Sequence, residues 1–410
     1  LEFDYTTAFR ANLPAAAKPW GGTPAFNFVG GNMDPSQIPV SDLIEAMTAV
    51  LNREGKDLAF YNMSNGPLGY RPLREFVAKL LKRKAGMDIT PDEVLITSGS
   101  LQSLDLVNKL MLSAGDTTII EGATYGGAIS RLRAIGVDCV GVDLDDDGIC
   151  MVSLEATLKR LKGEGVTPKY IFTIPTVQNP TGTVMPLDRR KRMLELASEF
   201  GVAIFEDDCY ADLLWEGERP PAIYALDKAE GGRRVLYCGS FSKSVAPALR
   251  IGYVVADWAA LGHMVTMKTD AGTSALAQMM LAEFCQTKFD SHTAKSTASL
   301  KEKHDVMMEA LSAEFGTVAE FKPAKGGIFL WIKLLDTVDS SRLFQAAGVE
   351  SVAINPGPEW TVDGPANKSW MRLCFGSATK DEIRTGVAKL AEICHREFGT
   401  PSRSGNVERG

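Results

Sequence analysis

The stretch Val202-Ala203-Ile204-Phe205-Glu206-Asp207-Asp208-Cys209-Tyr210 sets four apolar residues directly against three carboxylates and a phenol. A run that is apolar at every position predicts a strand buried on both faces, the pattern of a parallel sheet covered by helices. Carboxylates at the end of such a strand cannot stay bare: away from water they need a cation or hydrogen-bond donors. A solvated acidic turn is the alternative for the same letters. The segment therefore predicts a covered α/β sheet with chemistry gathered at a strand end.

Working outward, similar short runs recur at 94–97, 118–120, 139–142, 170–174, 235–238 and 252–255, with amphipathic stretches between them. Leu73, Phe76, Val77, Leu80 and Leu81 follow the one-face spacing of a helix, behind Pro72 at its first turn. Residues 239–251 are a short link for the helical crossover of a parallel pair, so the last strand is expected to run antiparallel. Beyond residue 285 the pattern changes to a long polar helix over 296–315, an apolar run at 327–332 and a helix ending near Phe398. The expected architecture is an α/β, three-layer αβα large domain with a mostly parallel seven-stranded sheet, over residues 46–285. A smaller α+β domain is expected from residues 1–45 and 286–410.

Composition narrows the function. The 410 residues are 45% hydrophobic and 23% charged, with 44 Lys and Arg against 51 Asp and Glu, net charge -7. This excludes a disordered chain and argues against nucleic acid as a partner. No stretch is long and apolar enough for a membrane span. The seven cysteines, at 139, 150, 209, 238, 285, 374 and 394, form no CxxC pair, which fits a reducing, cytoplasmic compartment. The four histidines make no metal-ligand pattern. Both chain ends, including residues 402–410, are expected to be poorly packed.

In an open α/β sheet, ligands sit beyond the carboxyl ends of the strands. Ser98-Gly99-Ser100 leads from a strand into the helical pattern of Leu101, Leu104, Val107 and Leu110. Free N–H groups there suit a phosphate, and the same letters equally suit an ordinary Ser N-cap. Gln178-Asn179-Pro180-Thr181-Gly182 follows another strand; turn chemistry alone explains it. Gly239-Ser240-Phe241-Ser242-Lys243, with Arg250 beyond, offers a lysine between two buried strands, hydroxyls and a guanidinium fork. One lysine, one strand-end carboxylate and a Ser/Arg phosphate clamp are the parts a pyridoxal phosphate site needs.

On these motifs, together with Gly31-Asn32-Met33-Asp34-Pro35, Gly326-Gly327-Ile328-Phe329-Leu330-Trp331 and Met371-Arg372-Leu373, the chain resembles the fold-type I, class I/II pyridoxal-phosphate aminotransferases. It resembles the aminoadipate/kynurenine branch and the aminotransferase-like domain of the MocR regulators. The resemblance implies Lys243 as the Schiff-base lysine and proton carrier. It implies Asp207 as partner of the pyridine nitrogen, with Asp208 the competing assignment. Tyr210 and Asn179 would bond the ring oxygen, and Tyr125 would stack on the ring. Ser100, the Leu101 backbone N–H, Ser240, Ser242 and Arg250 would hold the phosphate. Arg372 would receive the substrate carboxylate, with Asn179 and Gly31 beside it. Tyr61 would reach the phosphate of a partner subunit in a homodimer, although the loop from Tyr61 to Tyr70 is longer than the usual spacing. The implied activity is ping-pong transfer of an amino group from an L-amino acid to a 2-oxo acid of the 2-oxoglutarate or pyruvate type.

Rival readings are weaker or share the same residues. Ser240-Phe241-Ser242-Lys243 also fits the S-x-x-K signature of serine acyl transferases, but the chain has neither S-D-N nor K-T-G. Asp143, Asp145, Asp147 and Gly148 open like a calcium loop, yet position 12 falls on Leu154, so a solvated acidic turn is expected. Arg189-Arg190-Lys191-Arg192 is expected as an exposed helix face opposite Leu187, Met193 and Leu194. A pyridoxal-phosphate lyase, by β-elimination or by aminocyclopropane-carboxylate-synthase-like chemistry, would use the same site. A non-catalytic regulatory module would carry a DNA-binding domain, for which the roughly 30 residues before the first motif leave no room.

Overall fold

The computed structural model describes residues 3–9, 13, 16, 17, 19 and 21–401, so the expectation for the 402–410 tail lies outside the described residues. Seven strands form the central sheet: β1 (Val94–Thr97), β2 (Thr117–Glu121), β3 (Asp138–Val142), β4 (Tyr170–Thr173), β5 (Ala203–Asp207), β6 (Val235–Ser240) and β7 (Gly252–Val255). Their order is β1-β7-β6-β5-β4-β2-β3, parallel except for β7, which runs antiparallel to both its neighbours. The short 239–251 link has the consequence its length predicts.

Consecutive strand residues bury into opposite layers. Ile96, Ile171 and Ile204 join one hydrophobic cluster; Leu95, Phe172 and Phe205 join the other. Both layers are helical, which is why these strands read as continuously apolar. The helix Arg71–Ala85 carries Pro at its first turn and ends at Gly86, whose φ of 69° places it in the left-handed region that glycine enters most readily.

A second sheet has the order β8-β9-β11-β10, built from β8 (Ala319–Phe321), β9 (Phe329–Leu334), β10 (Asn355–Pro356) and β11 (Trp370–Cys374). Its pairings are antiparallel, and it packs with the helices Phe289–Phe315 and Lys380–Phe398 in a third cluster. The N-terminal segment joins this unit: Phe26–Asn27 pairs with Val352–Ala353, and Asp34 forms an ion pair of 2.7 Å with the buried Lys303.

Some expectations change. Strand β5 extends to Asp207 and β6 to Ser240, so two of the acids and the first serine lie on strands rather than in exit loops. The long helix begins at Phe289, not 296. The basic run is not an exposed face throughout. Arg190 is fully buried while Leu187 is 39% exposed. Arg190 shares the inward stripe with Met193, Leu194 and Ala197, and it donates to Met185 O, Pro175 O and Thr176 Oγ1 at 2.9–3.0 Å. It also stands 3.9 Å from the buried Glu206. The acidic turn is answered too, since Arg189 grips Asp145 through both terminal nitrogens at 2.6 and 2.9 Å.

Arg190→Met keeps the stripe apolar but strands several acceptors and a carboxylate in the interior. A loss of about 3–5 kcal/mol is expected, measured by urea unfolding against wild type; a loss within 1 kcal/mol would mean that Arg190 is dispensable to the layer.

Candidate active site

Five segments meet at the carboxyl ends of the central strands. Register does much of the work: Gly252 at the start of β7 pairs with Thr97 on one side and Ser240 on the other, which brings the ends of β1 and β6 together. From β1 the chain passes through Gly99, at φ 81°, into the helix Ser100–Met111. The first N–H groups of that helix, with the macrodipole behind them, form a seat for an anion. Ser240 and Ser242 are buried beside it, and Arg250 reaches across, its guanidinium donating to Ser242 Oγ at 3.4 Å and Ser98 O at 3.4 Å. Arg250 itself is left-handed, at φ 54°, an uncommon state for a residue with a side chain and one that concentrates at functional sites. The backbone is close here. A Cβ on Gly252 would lie 2.7 Å from both Gly99 C and Ser100 N.

The three consecutive acids find three different answers. Glu206 accepts from the N–H groups of Ile223 and Tyr224, both at 2.9 Å, at the start of the helix Ile223–Ala229. Asp208 pairs with Arg219 at 2.6 Å. Asp207 is 5% exposed and accepts from the Cys209 N–H at 3.2 Å; among the described residues it has no ion pair. Burial pushes its carboxyl above the ordinary range. A buried carboxylate that lacks a cation is a ready partner for a protonated nitrogen on a ligand.

Lys243 lies across the crevice. Its Nζ donates to Gly31 O at 2.6 Å and stands 6.0 Å from the centre of the Tyr210 ring. Burial lowers its ammonium from the usual lysine value, which favours the neutral amine needed of a nucleophile or base. Tyr210 OH accepts from Asn179 Nδ2 at 3.5 Å. The Asn179 turn rests on Glu121, at the end of β2. This fully buried carboxylate accepts from Thr173 Oγ1, the Ile174 N–H, Gln178 Nε2 and Thr124 Oγ1 at 2.8–3.0 Å. It thereby ties the Asn179 turn to the one before Tyr125.

Arg372 on β11 is 2% exposed, and burial lowers it to about 10. Its Nη1 donates to Asn179 Oδ1 at 3.1 Å, and its Nη2 to Gly30 O at 2.8 Å and Asn355 Oδ1 at 2.7 Å. The guanidinium lies between two rings, 3.8 Å from the centre of Phe329 and 3.5 Å from that of Trp360. Trp360 in turn packs on Tyr125, their centroids 6.0 Å apart.

The sequence-predicted residues Gly31, Ser100, Leu101, Asn179, Asp207, Tyr210, Ser240, Ser242, Lys243, Arg250 and Arg372 thus border one crevice, with Tyr125 joined to Arg372 through Trp360. Tyr61 is separate, 87% exposed on a turn where Asn62, Met63 and Ser64 all have positive φ. Sequence reasoning missed Glu121, Asn355 and Trp360. Glu121 had a readable signal, an acid closing the apolar run 118–120. The donor set fits pyridoxal phosphate: an uncompensated buried acid for the ring nitrogen, a backbone cradle with hydroxyls and a guanidinium for the phosphate, and a buried amine for the aldehyde.

Comparison with known proteins agrees. Residues 29–390 match the model of the family described as aminotransferase class I and II. The chain is 34% identical over 366 residues to the 2-aminoadipate transaminase of Thermus thermophilus, covering 89% of this chain and 88% of the relative. It is 31% identical over 369 residues to the uncharacterized HTH-type transcriptional regulator YisV of Bacillus subtilis, covering 89% of this chain and 73% of that one. Among solved structures, the multiple substrate aminotransferase of Thermococcus profundus superposes with a TM-score of 0.88 at 30% identity, covering 97% of this chain and all of the other. The chain belongs to the class I and II aminotransferases, and pyridoxal phosphate is its cofactor.

Proposed function

We propose that this pyridoxal-phosphate aminotransferase moves an amino group from an L-amino acid to a 2-oxo acid by a ping-pong mechanism, with Lys243, Asp207 and Arg372 at its centre. The carrying observation is that Asp207 alone of three adjacent buried acids is left without a cation, in the same crevice as the buried amine of Lys243. When bound, pyridoxal phosphate supplies a carbonyl carbon that takes up the amino group and a protonated ring that withdraws electrons from the carbon beside it.

The chain's residues do the rest. Asp207 holds the proton of the ring nitrogen, and the cation there compensates its own buried charge. Tyr210 and Asn179 hydrogen-bond the ring oxygen, and Tyr125 covers the ring face. Ser100, the Leu101 N–H, Ser240, Ser242 and Arg250 fix the phosphate. Arg372 grips the substrate α-carboxylate, so every substrate presents its Cα–H in one orientation. Lys243 would hold the cofactor through its aldehyde, and its Nζ as a free amine would take up and return the Cα proton of the substrate. Phe329, Trp360 and Tyr125 form an apolar wall that limits water around these atoms. Acceptors of the 2-oxoglutarate or pyruvate type belong to the same reading.

A homodimer with shared active sites is supported by Val40, Ile44, Phe60 and Tyr61, apolar side chains each more than half exposed on one N-terminal stretch. Tyr61 is the residue we assign to the partner's phosphate. A large unit over 46–285, with a small one from the rest, is supported by the separate hydrophobic clusters. Seven free cysteines support a cytoplasmic setting. Among the described residues no helix is long and apolar enough to cross a membrane.

Three experiments test this reading. Borohydride treatment of the loaded protein should fix the cofactor to Lys243, located by peptide mass. Lys243→Ala should abolish that label and lower amino transfer on the order of 10³-fold or more; a labelled or active variant ends the assignment. Ammonia and a keto acid formed with no acceptor present would indicate a lyase, and cofactor binding without turnover a regulatory role. Gly252→Ala should fold yet bind the cofactor about tenfold or more weakly, because overpacking of ~1–3 kcal/mol falls on the phosphate cradle; unchanged affinity in a titration followed by absorbance would remove the cradle from the phosphate site. Light scattering should give twice the chain mass, and Tyr61→Phe should weaken cofactor binding without altering that mass; equal affinity would return Tyr61 to the ordinary surface.

A further inference from the structure

Trp360 ends the short turn Gly357–Trp360 and is held on several sides. Its carbonyl accepts from the Thr124 N–H at 2.9 Å, one face covers the Arg372 guanidinium at 3.5 Å, and its ring meets Tyr125. The residue is 7% exposed, and its indole Nε1 is buried with no hydrogen-bond partner among the described residues. Arg372 Nε is in the same condition, although Nη1 of that guanidinium donates to Asn179 and Nη2 to Gly30 and Asn355. An indole nitrogen can only donate, and buried donors in native proteins are almost always satisfied. Two unsatisfied donors on two groups in face-to-face contact call for one acceptor with several lone pairs, brought from outside the chain.

We propose that the Trp360 indole N–H is a second donor to the substrate carboxylate, acting beside Arg372. The inference rests on the assignment of Arg372 as the carboxylate seat. A carboxylate offers about four lone-pair directions, and the guanidinium fork fills two, so an added donor is chemically accommodated. Its placement against the face of the guanidinium gives Trp360 two tasks: the ring holds the cation's plane, and the N–H adds a contact that only an acid can answer. The ligand recognised is the acid group of an amino acid or a 2-oxo acid. An amine without that group gains nothing from the N–H.

Trp360→Phe separates the tasks, since a phenyl ring preserves the stack and removes only the donor. On the cofactor-loaded variant, the Kd of a 2-oxo acid and the KM of the amino acid should rise about tenfold, the loss of one hydrogen bond to a charged group. Cofactor affinity should stay unchanged, and kcat should fall by less than the affinity for acids does. Binding of a primary amine that lacks the carboxyl group should be the same in both proteins. Trp360→His, which restores a planar ring with an N–H, should recover most of the loss and keeps the question answerable if the phenyl ring packs poorly. Equal acid affinity in wild type and Trp360→Phe, or equal weakening toward acid and amine, overturns the inference and leaves Trp360 a packing ring. Failure of the underlying assignment is visible separately, because Arg372→Gln would then bind the acid as tightly as wild type.

Discussion

The structure turns on one unanswered charge. Asp207 sits at the end of β5, buried with strands on both sides, and the chain provides cations or helix N–H groups for both its sequence neighbours but not for it. Leaving a carboxylate in this state costs stability, since desolvation disfavours the ionised form and the Cys209 N–H offsets it only in part. A chain bears that cost only where something else supplies the cation. The neighbours' arrangements make the difference legible: Glu206 is satisfied by a helix start and stands near Arg190, and Asp208 is closed by Arg219.

Around this charge the sheet acts as a jig. Antiparallel β7 between β1 and β6 sets Thr97, Gly252 and Ser240 side by side, so the proposed phosphate cradle would arise from strand register, not from a long loop. Glu121 performs the corresponding service on the other side by tying two turns together through four hydrogen bonds. These are rigid supports, and they explain how residues separated by more than a hundred positions in the chain reach one crevice.

Much of this was readable beforehand. The mostly parallel sheet with one reversed strand follows from apolar runs and a short link, and Lys243 and Arg250 stand out by residue type beyond strand ends, whereas the choice of Asp207 among three acids and the role of Arg372 come from the resemblance. What escaped has physical causes. Apolarity reports burial, not hydrogen bonding, so β5 and β6 appeared to stop before Glu206 and Gly239, whose partners lie far away in the chain. Residue type alone places the charged Arg190 on the surface, whereas its spacing from Met193, Leu194 and Ala197 is that of the buried stripe, and periodicity is the better guide. Trp360 and Asn355 act through contact with Arg372, a relation that no local pattern encodes.

The dipeptide Gly30-Gly31 holds two of the three cationic side chains of the crevice, one carbonyl on Arg372 and the next on Lys243. Ligand capture is thereby an exchange reaction. In the roles proposed above, an acid arriving at Arg372 would compete with a peptide oxygen already there, and Lys243 would have to give up its own peptide oxygen to react. Each incoming interaction is credited only with its excess over the bond it replaces, which keeps affinity moderate and lets product leave. Those two carbonyls are adjacent on a segment anchored through Phe26–Asn27 and Asp34, so one short stretch of backbone restrains both the guanidinium and the amine.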